Sequence, residues 1–375
     1  MLSSRCRDRN CRGRVHLASL RLRDRDGIIT GEGLIFRVFG YSHPPDAFIC
    51  DAEYASSSIF ESTDPRAPRT GGNKIFYKFY DDQGLKLVFD RYPQYTFTHK
   101  MLGQKVVGVG NADVLTFRKP EERLQVLAGE VAKDELHNAL QRVLKTLMRR
   151  SSLSESDFGV FGSMLYGFHH PRFSDIDLLI YGMKENEKIR ETAAALYKDK
   201  SSGFRNEFDT ALAMEGKRWR FKNFTVKEFL CHQKRKQIYG LFDDTRSGRT
   251  IKTEFEPVKA WKEIESEYDP KTRIMRRDWV RLKARVTSDK EAPFIPSVYG
   301  IQPLEVLSGT KSAIDAIRVI SYMEEFRLQA QADETVTVEG ALEEVISPKG
   351  SFHQIALTYC PRYYEQVLKT EDLLF

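Results

Sequence analysis

The chain has 375 residues, with 41% hydrophobic and 30% charged residues and a formal net charge of +6. That length can bury a sizeable core and form two or three domains, and the composition is that of a soluble globular protein, expected in the cytoplasm. No apolar run approaches the roughly 20 residues that span a bilayer, so no membrane association is expected. The opening MLSSRCRDRNCRGR is basic but lacks the apolar stretch of a secretory signal.

Residues 1–26 read as a disordered basic tail. Five cysteines, Cys6, Cys11, Cys50, Cys231 and Cys360, are odd in number and scattered, which argues against a disulfide framework and for a reducing compartment. Cys6 and Cys11 have no second cysteine pair nearby to complete a metal site.

Residues 27–120 read as a β-rich domain. The runs GLIFRVFGY, DAFICDAEYA, KIFYKFY and LKLVFD are aromatic and β-branched, separated by turn signals such as His43-Pro44-Pro45 and Gly71-Gly72. Pro120 then opens a single long helix expected to run to about Arg150, with Leu136, Leu140, Leu144 and Leu147 at helical spacing. A short strand is expected at Gly159–Phe161 and another at Asp175–Ile180, followed by helices near 184–199 and 226–239 and a strand at Thr250–Val258. This α+β stretch, 121–275, reads as the central domain. From Trp279 onward VRLKARV, SVYGI, TVTVEGAL and QIALTYC return to a β pattern, so residues 276–375 read as a small β-rich barrel or sandwich.

The chemistry concentrates in FGSMLYGFHHPRFSDIDLLI, residues 161–180. A strand ending at Gly162-Ser163 can start a helix whose free amides point outward and bind phosphate. Gly162 permits close backbone approach, and the Ser163 hydroxyl adds a donor. Eleven residues after Ser163, Asp175 and Asp177 alternate on a strand, so both carboxylates share one face while Ile176 and Leu178 face the core. Two like charges on one face call for a cation, and an oxygen-rich site suits Mg²⁺.

This segment resembles the signature of the DNA polymerase β-like nucleotidyltransferases: a hydrophobic residue, Gly-Ser or Gly-Gly, about ten residues, then Asp-x-Asp between apolar residues. The likeness covers residues 158–181 and extends loosely over 121–262. GLIFRVFGYSHPPDAFICD and other flanking segments resemble uncharacterised archaeal proteins that carry a nucleotidyltransferase domain. The resemblance implies a transferase that moves a nucleoside monophosphate from Mg-NTP to an acceptor hydroxyl by a two-metal mechanism, with Asp175 and Asp177 as metal-binding catalytic residues. It also implies a third carboxylate on a later strand. Glu254 is preferred, three residues before Pro257, and Glu256 and Asp209 are the alternatives. The alternative function is a catalytically inactive nucleotide- or RNA-binding module of the same fold.

Lys217-Arg-Trp-Arg-Phe-Lys222 alternates basic and aromatic residues. As a strand it would present Arg218, Arg220 and Lys222 together. Arg218 and Arg220 are therefore candidate nucleotide-binding residues beside Gly162 and Ser163, and RNA is a candidate acceptor. His169 and His170 sit in the loop before the aspartates, where exposure is the expected state.

Overall fold

The computed structural model describes residues 20–215, 219–358 and 362–371. The candidate residue Arg218, together with Lys217, Cys6, Cys11 and Cys360, lies outside the described residues. Cys50 and Cys231 are free thiols. No described helix is long and apolar enough to cross a membrane.

The N-terminal region holds β1 (Gly27–Ile29), β2 (Leu34–Val38), β3 (Ala47–Ser56), β4 (Pro68–Gly71), β5 (Lys74–Lys78), α1 (Gln83–Arg91), β6 (Thr96–His99), β7 (Gln104–Gly110) and β8 (Thr116–Arg118). Its main sheet runs β4-β5-β3-β2-β1-β8, with β7 joining β3 to β6. Every pairing in it is antiparallel. Phe36, Val38, Phe48, Ala52 and Val88 build its core.

The tail expected over 1–26 does not hold for its last part. Leu22, Arg23, Asp24, Arg25 and Asp26 are buried, and Arg25 is fully so. An Arg-rich composition suggests solvent, but here the arginines meet carboxylates from distant parts of the chain. The Arg25 guanidinium donates to Glu256 at 2.6 Å and to Glu324 at 2.8 Å.

The central region contains α2 (Pro120–Gly129), α3 (Glu135–Ser151), β9 (Phe158–Val160), α4 (Gly162–Tyr166), β10 (Ile176–Tyr181), α5 (Met183–Lys198), β11 (Phe204–Asn206), α6 (Val226–Arg235), β12 (Tyr239–Asp244) and β13 (Arg249–Val258). The long helix expected from Pro120 is thus two helices. Gly129 ends the first, and Asp134 caps the second by accepting the His137 amide at 2.9 Å. The helix expected to reach 239 stops at Arg235, and Tyr239 begins β12.

The central sheet is mixed, in the order β11-β12-β13-β10-β9, with β10 and β13 parallel. Its two faces differ. Ile176, Leu178, Ile180 and Phe255 pack with Leu136, Leu140, Leu144 and Leu147 of α3 and Ile189 of α5. The other face meets Tyr41, Phe161, Leu165 and Phe294 through Leu179 and Val258. Strand alternation sends Asp177, Glu254 and Glu256 to that second face.

The last region holds β14 (Arg273–Glu291), β15 (Ser297–Ser308), β16 (Ala316–Ser321), β17 (Thr335–Ser347), β18 (Gly350–Leu357) and β19 (Val367–Thr370). The order β14-β15-β16-β18-β17 closes on itself because β14 also pairs with β17, and β16 and β18 run parallel. Five strands therefore form a closed barrel.

The strand expected at 217–222 is not formed by its described part. Phe221 and Phe224 fill the barrel's core, with Trp219 packed against it. Burying three aromatic rings on a barrel outweighs adding a short edge strand. This loop of the central region therefore contributes to the third core.

Candidate active site

The two halves of the Gly-Ser and Asp-x-Asp pattern meet directly. Gly162 opens α4 with a left-handed φ of +63°, and a Cβ placed there would lie 2.5 Å from Asp177 Oδ2. Only glycine leaves room for the carboxylate and tolerates that backbone. α4 has five residues, so its open amides, rather than a macrodipole, would serve a phosphate. The Phe161 amide donates to the Asp177 carbonyl at 2.9 Å. The Ser163 hydroxyl donates to Ser174 Oγ at 3.2 Å, which ties the turn to the residue before Asp175.

Parallel pairing places Asp177 opposite Glu254 and Leu179 opposite Glu256. Burial raises the Asp177 carboxyl well above the usual range; Glu254, Asp175 and Glu256 push it further, and Lys78 opposes them. Burial also raises Asp175, with Lys252 and Arg249 opposing and Glu254 adding to the shift. Asp175 reaches solvent while Asp177 is half-buried, so solvent screens the neighbouring charges more at Asp175 than at Asp177.

The rival third carboxylates have different surroundings. Glu256 is 6% exposed and enclosed by Arg25 at 2.6 Å and Arg327 at 3.6 Å. Asp209 pairs with Lys234 at 2.8 Å. Glu254 pairs with Lys252 at 2.6 Å, and the same ammonium lies 3.5 Å from Glu207. Among the described residues no three His, Cys, Asp or Glu side chains converge closely enough to hold an ion.

Comparison with known proteins agrees with this geometry. A family model described as "Nucleotidyltransferase domain" matches residues 140–232. The centre of the chain is a nucleotidyltransferase domain of the polymerase β-like kind. The match contains Gly162, Ser163, Asp175 and Asp177 and ends before β13, so Glu254 lies beyond it. An uncharacterised protein of the archaeon Methanocaldococcus jannaschii is 26% identical over 333 residues, covering 88% of this chain and 93% of its own length. No solved structure matches.

Several neighbours of the nucleotidyltransferase site carry no motif. Arg249 donates to the carbonyls of Pro171 at 2.8 Å and Ser174 at 2.6 Å, and so clamps the loop that delivers Asp175. Its only sequence signal is its place at the start of the strand that carries Glu254. His169, expected to be exposed, instead bonds Asp134 at 3.0 Å with its side chain 11% exposed. It therefore joins the loop to the cap of α3. His170 stays exposed.

Arg220 is not brought to the carboxylates by any recorded contact. It bonds the Tyr364 hydroxyl at 3.0 Å and lies 3.4 Å from Asp81. Lys222 pairs with Glu365 at 2.9 Å.

Proposed function

We propose that the chain is a nucleotidyltransferase that moves a nucleoside monophosphate from an NTP to an acceptor hydroxyl. The observation that carries this reading is the juxtaposition of Gly162 with Asp177 Oδ2 and of Asp177 with Glu254. The acceptor oxygen would bond to the α-phosphorus as the bond to the β-phosphate's bridging oxygen breaks. Pyrophosphate would leave, and the hydroxyl proton would pass to the Glu254 carboxylate. The backbone of Gly162 and the Ser163 hydroxyl would hold the β- and γ-phosphates.

The donor set fits hard divalent ions such as Mg²⁺. It consists of carboxylate oxygens, and their mutual repulsion already raises the proton affinity of Asp177. Asp175, Asp177 and Glu254 would be the ligands. Such ions, when bound, neutralise the triphosphate and lower the pKa of the attacking hydroxyl. Lys252 can release Glu254 to this task because Glu207 remains as its partner.

A second reading, binding without turnover, is favoured by the Glu254–Lys252 pair and by the lack of a converged ligand set. For an RNA acceptor, the strand order of the barrel is the supporting feature. The basic run does not add to it, because Arg220 and Lys222 already have partners.

Pyrophosphate release measured with each NTP and Mg²⁺ separates turnover from binding. Asp175→Asn with Asp177→Asn should reduce release about a hundredfold or more. It should leave the apo protein at least as stable as wild type, because two mutually repelling carboxylates are gone. NTP affinity and release unchanged in the double variant would overturn the assignment of the site.

A further inference from the structure

Lys78 is a cation that the sequence pattern gives no reason to notice. It ends β5, outside the nucleotidyltransferase domain, opposite Tyr54 of β3. Cross-strand partners share a sheet face, as do alternate residues of one strand. Tyr54, Phe76 and Lys78 therefore project together.

That face is docked beside the phosphate turn. The Tyr54 ring lies 5.7 Å from Tyr166 and 5.0 Å from Phe168, and Phe76 stacks on Phe168 at 5.4 Å. Gly71, at the end of β4, is close enough to Phe168 that a Cβ there would come within 3.2 Å of it. The Phe168 amide in turn donates to the Ser163 carbonyl at 3.1 Å. An unbroken run of contacts thus leads from the Ser163 turn through Phe168 to Phe76, the near neighbour of Lys78 on its own strand. Lys78 is half-buried, its ammonium lies 5.9 Å from the centre of the Tyr80 ring, and among the described residues no carboxylate lies within ion-pair distance of it. Its charge bears on Glu53 of β3 as well as on Asp175 and Asp177.

We propose that Lys78 is a nucleotide-binding residue whose ammonium meets the triphosphate beside Asp177, so that the transfer site is completed by the N-terminal sheet. The proposal rests on the nucleotidyltransferase reading and deepens it. A lysine whose ammonium stands near the Tyr80 ring with no carboxylate at ion-pair distance suits a polyanion that comes and goes. The packed rings of Tyr54, Phe76 and Phe168 fix where β5, which carries that charge, stands beside the turn. The β-rich N-terminal region then acts as the wall of the site as well as a flanking domain.

The test uses the full chain and its Lys78→Met, Lys78→Arg and Asp177→Asn variants. Calorimetric titrations with each of the four Mg-NTPs and with the matching monophosphates are paired with Tm. Lys78→Met should weaken NTP binding by about tenfold or more, the loss expected for one charge-assisted contact. Lys78→Arg should restore most of it, and monophosphate binding and Tm should stay near wild type. Unchanged NTP affinity in Lys78→Met, with Asp177→Asn impaired, overturns the role of Lys78 and leaves the transferase reading standing. Equal losses for NTP and monophosphate, or a fall in Tm that tracks the loss, assign Lys78 to docking of the sheet and also overturn it. A wild-type chain that binds no NTP takes both readings down.

Discussion

Glu254 and Glu256 stand two residues apart on one face of β13 and meet opposite surroundings. Around Glu256 the charges are matched. Each acid there meets an arginine: Arg25, Arg37 and Arg327 face Glu256, Glu324 and Asp24, Arg25 holds both glutamates at once, and Arg37 also reaches Asp51 and Glu53. Around Glu254 the acids are in excess. Glu254 shares Lys252 with Glu207, no cation among the described residues lies within ion-pair distance of Asp175 or Asp177, and the Arg249 guanidinium is bonded to two carbonyls. A buried ion network that closes on itself joins parts of a fold, and its members cannot leave. A cluster left with surplus negative charge costs stability until a cation arrives, which is the arrangement that a metal- and phosphate-handling site requires. One strand carries both, and under the proposed function the step from Glu254 to Glu256 would be the step from site to scaffold.

The largest effect should come from breaking the matched cluster. Arg25→Met keeps the length and the apolar stem but leaves Glu256 with only the more distant Arg327 and Glu324 with Arg37. Removing one partner from a buried ion pair of this kind costs about 3–5 kcal/mol. Urea denaturation of the two proteins measures it. A loss below about 1 kcal/mol would show that the network can be rearranged, and the contrast between the two glutamates would collapse.

Arg25 also shows where the sequence stops speaking. Its partners Glu256 and Glu324 lie 231 and 299 residues away, and no local pattern marks such a pair, so an Arg-rich stretch reads as a tail. The Gly162-Ser163 and Asp175/Asp177 pattern was legible because its chemistry is written within one strand–turn–strand unit of fixed spacing. The α3 leucines were legible for the same local reason, and all four are buried. The break between α2 and α3 was hidden, because apolar periodicity carries on through it while the Asp134 cap is a single residue. The different surroundings of Glu254, Glu256 and Asp209 depend on strand register and on distant partners, which a single sequence does not display. The alternation in 217–222 was real, but its aromatic half serves the barrel's core.

Acid should distinguish the clusters next. Burial works against the Glu324 carboxylate, yet Arg25, Arg37 and Arg327 prevail and hold it below the usual range. A folded-state pKa below the unfolded value of 4.5 means that this stabilisation is complete above about pH 4.5 and fades as pH falls through the folded value. Glu324→Gln should therefore be less stable than wild type at pH 7, with the difference narrowing below pH 4.5. The effect should be smaller than that of Arg25→Met, since the Glu324 side chain is 34% exposed. Urea midpoints taken from pH 7 to pH 3 test this, and a constant difference across the range would show that its charge is not part of the matched set.

The smallest effects belong to the unmatched cluster, where ligand binding should change more than stability. Gly162→Ala adds a Cβ 2.5 Å from Asp177 Oδ2 at a φ of +63°. The backbone penalty is about 1–2 kcal/mol, and moving the carboxylate should cut NTP affinity further. Ser163→Ala removes only a hydroxyl, whose partner within the protein is Ser174 Oγ at 3.2 Å. Ser174 Oγ keeps the His170 amide as a donor at 2.8 Å, so the apo fold should barely notice the loss. A bound triphosphate would lose one donor, worth about 1 kcal/mol, or a several-fold weaker Kd. Titration with Mg-NTP alongside a urea curve reads both quantities for each variant. If Ser163→Ala costs as much stability as affinity, the hydroxyl is part of the loop's architecture and the phosphate turn works through its backbone alone.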